Sequence, residues 1–350
     1  MFLQRYCGRI LALSVDTMNS SSIPTITVDT KGRVTTASTS ALATGYTGFR
    51  NRIINGDMRI DQRNNGASQS ITAASPAYSV DRFFVRPIGG TVTGQRVAGT
   101  GSTQYVYQIT GGASVTQLQF EQKIEASNSY DLAGSSATLS VNLSNSLLTT
   151  ANWILYYANS TDNFATNTLI SSGNWTISSS ITRYNATISI PAAATTGLYL
   201  IIYVGAQTSG TFTIGNVQLE AGSTATDFER RPIGTELALC QRYYWKSFRQ
   251  SVVPSDSSND YLGAIGFNHI NGNIGQGMCY FPSTMRAAPT ITLFNPRPSG
   301  ASGQATDTTS DDSSTRATLL SDRSFAVDNT STNNSNSNRV YVHAVASAEL

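Results

Sequence analysis

Two pairs of carboxylates stand four residues apart in this chain, Asp57 with Asp61 and Glu121 with Glu125. On a strand, residues four apart share a face, and two carboxyls flanking a glycosidic bond are the apparatus of glycoside hydrolysis. The rest of the catalytic repertoire is thin. His269 and His343 are the only histidines, in Gly/Asn-rich and strand-like surroundings without a nucleophile elbow. The glycines mark turns and form neither a dinucleotide fingerprint nor a phosphate-cradling loop. Cys7, Cys240 and Cys279 stand apart with no Cys-x-x-Cys pair, so there is no raw material for a zinc site or a disulfide framework. The pair Cys240 and Cys279 is the bridge to check, against a reading of both as small buried hydrophobes. Surface carboxylates in a β-protein usually only solvate, so the expectation is a non-enzyme with no metal and no cofactor.

Binding is the better-supported chemistry. Aromatic rings stack on the apolar faces of sugars while neighbouring amides satisfy hydroxyls. The segment ANWILYYANS sets Trp153, Leu155 and Tyr157 on one face and Asn152, Ile154 and Tyr156 on the other, with Trp175 and Tyr184 in the strands that follow. Trp153, Tyr156 and Trp175 are therefore the glycan-binding candidates. The competing reading is that large aromatics in mid-strand are core.

The elements that must position these residues are strands. Of 350 residues 39% are apolar and only 13% charged, with a net charge of +2. That balance is too weak to draw the chain onto nucleic acid by counterion release. Val, Ile, Thr, Tyr and Phe are plentiful while helix formers are sparse, so the class is mostly β. No run of about 20 apolar residues exists to span a membrane. The opening MFLQRYCGRILALSV has basic residues and an apolar patch but no small-residue cleavage site, and residues 1–17 could equally precede the native start at Met18. Lys31, Lys123 and Lys246 are the only lysines among 23 basic residues, and arginine's forked donors suit interfaces.

IPTITVDTKGRVTTAST reads as a small hairpin about an Asp-Thr-Lys-Gly turn. Between residues 50 and 232, strands separated by turn clusters recur at the spacing of a β-sandwich or jelly roll. They include DRFFVRPI, STQYVYQIT, TQLQFEQKI, SATLSVNLS, RYNATISI, GLYLIIYVG and GTFTIGNVQLEAG. Leu139, Val141 and Leu143 alternate with Ser140, Asn142 and Ser144, the pattern of a sheet with one dry side. A second β region follows in residues 251–350, where Val340, Val342, Ala344 and Ala346 share a face. Its polar runs SGASGQATDTTSDDSST and NTSTNNSNSN read as solvent-projecting loops.

Between these regions lies DFERRPIGTELALCQRYYWKSF. Pro232 and Gly234 stop the last strand, Thr235 is positioned to cap a helix, and Leu237, Cys240 and Tyr244 fall at helical spacing, as do Leu239 and Tyr243. A helix of about two turns is unstable alone. It must pack under its own sandwich or against copies of itself, with Arg230 and Arg231 able to pair with nearby carboxylates across such an interface.

ITVDTKGRVTTAS resembles a repeat of bacteriophage tail-fibre shafts, where hairpins of three chains wind together. NRIINGDMRIDQRN, NVQLEAGSTATDFERRPIGTELALCQRYYW, MRAAPTITLF and NRVYVHAVASAEL resemble the boundary and closing segments of the same family of phage tail fibres and virion appendages. The opening Asn-Gly-Asp and the Val-Gln-Leu-Glu also resemble jelly-roll carbohydrate-binding modules, in which first and last strands pair. The resemblance implies an all-β chain: an N-terminal attachment arm (1–49), a jelly-roll sandwich (50–232), a short helical joint (233–250) and a distal β-sandwich domain (251–350). It implies a structural virion protein on the tail, homotrimeric, docked on tail or adaptor proteins through its arm and binding host glycan or lipopolysaccharide. A capsid-attached fibre and a secreted carbohydrate-binding module are the alternatives. Leu237, Cys240, Tyr243, Tyr244, Arg230 and Arg231 are the expected trimer contacts. The likeness to carbohydrate-binding modules also raises a structural calcium near Asp57 and Glu220, for which one carboxylate each is too few ligands.

Overall fold

The computed structural model describes residues 22–41, 49–101, 103–268, 275–307, 312–329 and 339–350. Cys7, His269 and most of NTSTNNSNSN lie outside them. The chain divides into two compact units, Met1–Arg50 and Asn51–Leu350. In the first, β1 (Ser22–Val28) and β2 (Val34–Ala41) form the expected antiparallel hairpin. The Asp29 carboxylate closes its turn by accepting from the Lys31 and Arg33 amides, both at 2.9 Å, and Gly32 takes the left-handed φ the turn requires. Val28 and Val34 are more than half exposed.

The second unit begins with a jelly roll. Its strands are β3 (Gln69–Thr72), β4 (Ala77–Tyr78), β5 (Phe84–Ile88), β6 (Thr91–Ala98), β7 (Tyr105–Thr110) and β8 (Gln117–Ile124). They continue with β9 (Ser136–Asn145), β10 (Thr150–Ser160), β11 (Asn163–Thr176), β12 (Thr182–Ser189), β13 (Leu198–Val204) and β14 (Thr211–Ala221). One sheet runs β12-β9-β14-β7-β6-β3 and the other β11-β10-β13-β8-β5-β4, with antiparallel pairing throughout. Alternation puts one face of each sheet into a shared core. Leu139, Val141 and Leu143 meet Leu118, Phe120, Leu155, Leu200 and Ile202 there. The quoted strands all form; β3, β4 and β6 were not among them, and β11, expected only as a strand about Trp175, is polar along most of its length.

The helix α1 (Ile233–Gln241) follows the sandwich. It starts three residues earlier than expected, with Pro232 as the capping residue, and ends before Tyr243. Tyr244 instead opens β15 (Tyr244–Lys246), which pairs with the final strand. The terminal sheet adds β16 (Ile265–Asn268), β17 (Gln276–Tyr280), β18 (Thr290–Phe294), β19 (Gln304–Asp307), β20 (Asp312–Thr318), β21 (Ser324–Asn329) and β22 (Arg339–Ser347). The spine is β22: its first half lies between β16 and β19, its second between β15 and β18. Val340, Val342, Ala344 and Ala346 face a core with Trp245, Phe281 and Phe325. Half of the polar run 299–315 is strand rather than loop, since Ala305 reaches that core and carries β19 with it.

Apart from the hairpin, segments that prompted the family resemblance meet in one buried knot between sandwich and terminal sheet. Asn51 Oδ1 accepts from Leu219 N (3.0 Å) and its amide donates to the Val217 carbonyl (3.0 Å), which pairs the opening segment with β14 as expected. Asn55 adopts a left-handed φ of 59° and its side chain bridges Ile60 and the Asp81 carbonyl. At Gly56 a Cβ would sit 2.1 Å from the Val217 oxygen, so only glycine fits. Arg231 donates to the Asn51 and Ile53 carbonyls and to Glu236. Arg63 and Arg82 both bind the Glu349 carboxylate while lying over the rings of Tyr244 (3.7 Å) and Tyr243 (3.4 Å).

This knot corrects the expected use of the joint. Cys240 and Tyr243 are fully buried with Ile54 and Ile60, Leu237 packs against them, Tyr244 is in the terminal sheet, and Arg231 is enclosed. Five of the six expected trimer contacts are therefore spent within one chain, and only Arg230 of that set is exposed. The reason is the helix's shortness: nine residues gain enough burial only by lying under the sandwich from which they emerge. Cys240 and Cys279 are both free thiols.

Candidate functional site

Of the three sequence-derived glycan candidates, only Tyr156 faces outward. Trp153 and Trp175 lie in the sandwich core, their ring centroids 6.2 Å apart. The Trp153 ring lies on Gly173, where a Cβ would come within 2.8 Å of it, and Trp175 Nε1 donates to the Asn185 carbonyl at 2.9 Å. Size had marked these residues, and size is what drives them inward.

The outward face of β10, β13, β8, β5 and β4 is different in kind. Register sets three rows across it: Tyr78, Phe84, Glu121, Ile201 and Ile154; then Arg86, Gln119, Tyr203 and Asn152; then Lys123, Tyr199 and Tyr156. Most are half-buried, presenting ring faces and amide or charged tips rather than a continuous apolar surface. Tyr156 and Tyr199 lie 6.2 Å apart, Phe164 packs edge-on to Tyr199, and Tyr78 edge-on to Phe84.

At one end the face deepens into a cavity of about 160 Å³, lined by Tyr78, Arg82, Phe84, Arg86, Glu121, Lys123, Tyr199 and Leu350. Glu121 is 2% exposed; one oxygen accepts from Arg86 Nε at 2.9 Å and the other from the Tyr199 hydroxyl. Burial and then the Glu121 carboxylate push the Tyr199 phenol above its ordinary value, so it stays a donor. Burial opposes the charge of Arg86, but the hydrogen bond and charge of Glu121, with Tyr199, together outweigh it and hold the guanidinium above its usual range. Lys123 donates to the Leu350 backbone oxygen at 2.9 Å, and burial pulls its ammonium below the ordinary lysine value.

The carboxylate pairs proposed for hydrolysis do not assemble. Glu121 faces the cavity, whereas Glu125 is bound by Arg242 (2.8 Å) and Ser127. Asp57 is paired with Arg59, and Asp61 accepts from the Asn64 (3.0 Å) and Gly66 (2.7 Å) amides. Glu220 is likewise engaged by Thr226 and Gln218. Among the described residues no group of three His, Cys, Asp or Glu side chains forms a metal site. What the face offers is planar rings beside fixed donors and acceptors, which is the equipment for holding polyhydroxylated molecules.

Sequence reasoning missed Phe84, Arg86, Gln119, Lys123, Tyr199 and Tyr203, and marked Glu121 only as half of a hydrolytic pair. The signal was present as alternation: in TQLQFEQKI the polar residues 117, 119, 121 and 123 lie on the face opposite Leu118, Phe120 and Ile124, and in GLYLIIYVG Tyr199 and Tyr203 stand opposite Leu198, Leu200 and Ile202.

No family model matches this chain, and no curated protein matches it. Solved structures do. One described as a carbohydrate-binding module of family 4 is 16% identical, covering 48% of this chain and 98% of its own, with a TM-score of 0.32. A family 61 carbohydrate-binding module in complex with β-1,4-galactotriose is 11% identical over 50% of this chain and 100% of its own, with a TM-score of 0.31. The enzymatically active domain of tailspike protein 4 from bacteriophage CBA120 is 14% identical, covering 49% of this chain and 21% of its own, with a TM-score of 0.31.

Proposed function

We propose that this chain is a glycan-binding attachment protein, a virion tail fibre that engages host surface polysaccharide or lipopolysaccharide on the outward face of β10, β13, β8 and β5. The observation that carries the proposal is the face itself. Half-buried tyrosines, amides and the Arg86–Glu121–Tyr199 cluster occupy a sheet surface that a purely structural sandwich would leave to Thr and Ser. The tail-fibre assignment rests on the quoted boundary segments and on the hairpin β1–β2. An isolated two-stranded hairpin is marginal in water, and Val28 and Val34 are left exposed on it. Association in threes is therefore assigned to the hairpin rather than to α1, with the N-terminal arm docking on tail or adaptor proteins.

A second reading, a secreted carbohydrate-binding module, is favoured by the internal burial of α1, since Asn51–Leu350 closes its own joint. Both readings share the face. The test is a printed glycan array probed with the wild-type chain and with Tyr156→Ala and Gln119→Ala. Binding that these substitutions weaken about tenfold supports the proposal; binding that survives them, or no binding at all, refutes it.

A further inference from the structure

We infer that the cavity receives the non-reducing end of a saccharide chain rather than an internal stretch of it, and that Leu350 is the specificity-determining wall. The inference rests on the glycan-binding reading of the face and narrows its ligand to chain ends and branch tips.

The argument is one of direction. Cross-strand register lays Lys123, Tyr199, Tyr156 and Leu169 in one row over β8, β13, β10 and β11. At the β11 side the row is open, since β11 is the edge strand of its sheet and Leu169 is 54% exposed. At the other side the row runs into Leu350. The Leu350 backbone oxygen accepts from Lys123 Nζ on β8 (2.9 Å) and from the Tyr78 hydroxyl on β4 (3.4 Å), while the residue packs against the cluster of Ile54, Ile60 and Tyr243. The wall is also fixed from behind. Glu349 is held by Arg63 and Arg82, and Arg286 donates to the Ala348 (2.9 Å) and Glu349 (3.1 Å) carbonyls. A segment tied in this way gives passage to a polymer only by breaking buried charge-assisted bonds. A saccharide lying on the tyrosines therefore enters from β11 and stops at Leu350.

The cavity also suits a terminal residue chemically. A sugar at a chain end carries a free hydroxyl where an internal one carries a glycosidic bond. Glu121 lines the cavity, and its two oxygens accept from Arg86 and Tyr199 respectively. A carboxylate has about four lone-pair sites, so acceptor capacity remains for that hydroxyl beside the Tyr199 ring. Surface polysaccharides are anchored through their reducing ends, which leaves the non-reducing end to enter.

The experiment is a calorimetric titration of the full chain with linear trisaccharides of glucose, galactose and mannose, each in three forms. One is unmodified, one is methylated on the non-reducing hydroxyl through which the chain would continue, and one is the methyl glycoside at the reducing end. The form capped at the non-reducing end should bind about tenfold more weakly than the unmodified one, and the methyl glycoside about equally. In Leu350→Ala, checked for folding by thermal melt, the ratio of unmodified to capped affinity should fall toward one, whereas Tyr156→Ala should weaken both forms and keep the ratio. Equal binding of all three forms, or a loss confined to the methyl glycoside, overturns this inference while sparing the face, and the wild-type comparison decides that whether or not the variant folds. A preference that Leu350→Ala leaves intact overturns the assignment of the wall. Failure of every form to bind overturns the face and this inference together.

Discussion

Glu349 carries more of the architecture than its place near the end of the sequence suggests, and Glu349→Gln is the substitution that exposes it. The carboxylate is almost enclosed and joins two guanidiniums, Arg63 at 2.9 Å and Arg82. Arg82 is itself 2% exposed, and its remaining partners are the Lys123 carbonyl and the Tyr243 ring. Glutamine keeps the shape but removes the charge, leaving Arg82 as a buried cation without an anion. Breaking one partner of such a pair costs about 3–5 kcal/mol, whereas an exposed bridge is worth at most about 1 kcal/mol. Because Arg63 retains a 3.5 Å approach to Asp81, the lower end of the range applies, about 3 kcal/mol. Urea denaturation followed by tryptophan fluorescence measures this, and Arg82→Met with the double variant completes a cycle in which the double cost is well below the sum. A loss under about 1 kcal/mol for Glu349→Gln, or strict additivity, refutes the buried-knot argument.

Three further outcomes follow from the same structure. His343 is buried, stacked on Phe248 at 3.9 Å, and bound by Ser247 and the Asp260 carbonyl. Burial holds its imidazole below the ordinary value of 6.5. The unfolded chain therefore takes up a proton first, so stability falls as pH drops below 6.5, and His343→Gln flattens that acid arm in melts at stepped pH. Lys246 is enclosed and, among the described residues, donates to the Gln250 and Val252 carbonyls, and burial lowers its pKa to about 8. Between pH 8 and 10.5 the unfolded chain holds a proton the folded chain has lost, so stability rises with pH, by up to about 3 kcal/mol, and Lys246→Met removes the rise. On the proposed association through the hairpin, Val28→Asp with Val34→Asp should reduce the light-scattering mass to that of one chain, and a wild-type mass of one chain, or an assembly that the variant leaves unchanged, refutes it.

The fold was legible because both sheets of the sandwich alternate cleanly on their core faces: Leu139, Val141 and Leu143 announced β9, and Val340 to Ala346 announced β22. It was illegible where a strand has little apolar content, as in β11 and β19, which are held by neighbours rather than by their own pattern. The joint was expected to face other chains, whereas its apolar residues are buried within one chain. Spacing shows which residues of a helix are apolar but not which surface will cover them, and Cys240 and Tyr243 are covered by Ile54 and Ile60, some 180 residues earlier in the chain. The candidate site was hidden for a related reason. Side-chain size pointed to Trp153 and Trp175, yet a binding face on a sandwich is the polar half of alternating strands, and Tyr156 alone satisfied both criteria.

The account turns on where a saccharide rests. The most direct measurement is a crystal structure of the full chain with an array-selected oligosaccharide bound. Sugar density over Tyr156 and Tyr199 is the result expected. Ordered sugar on the loops of the terminal sheet, with the outward face of β10, β13 and β8 bare, contradicts it.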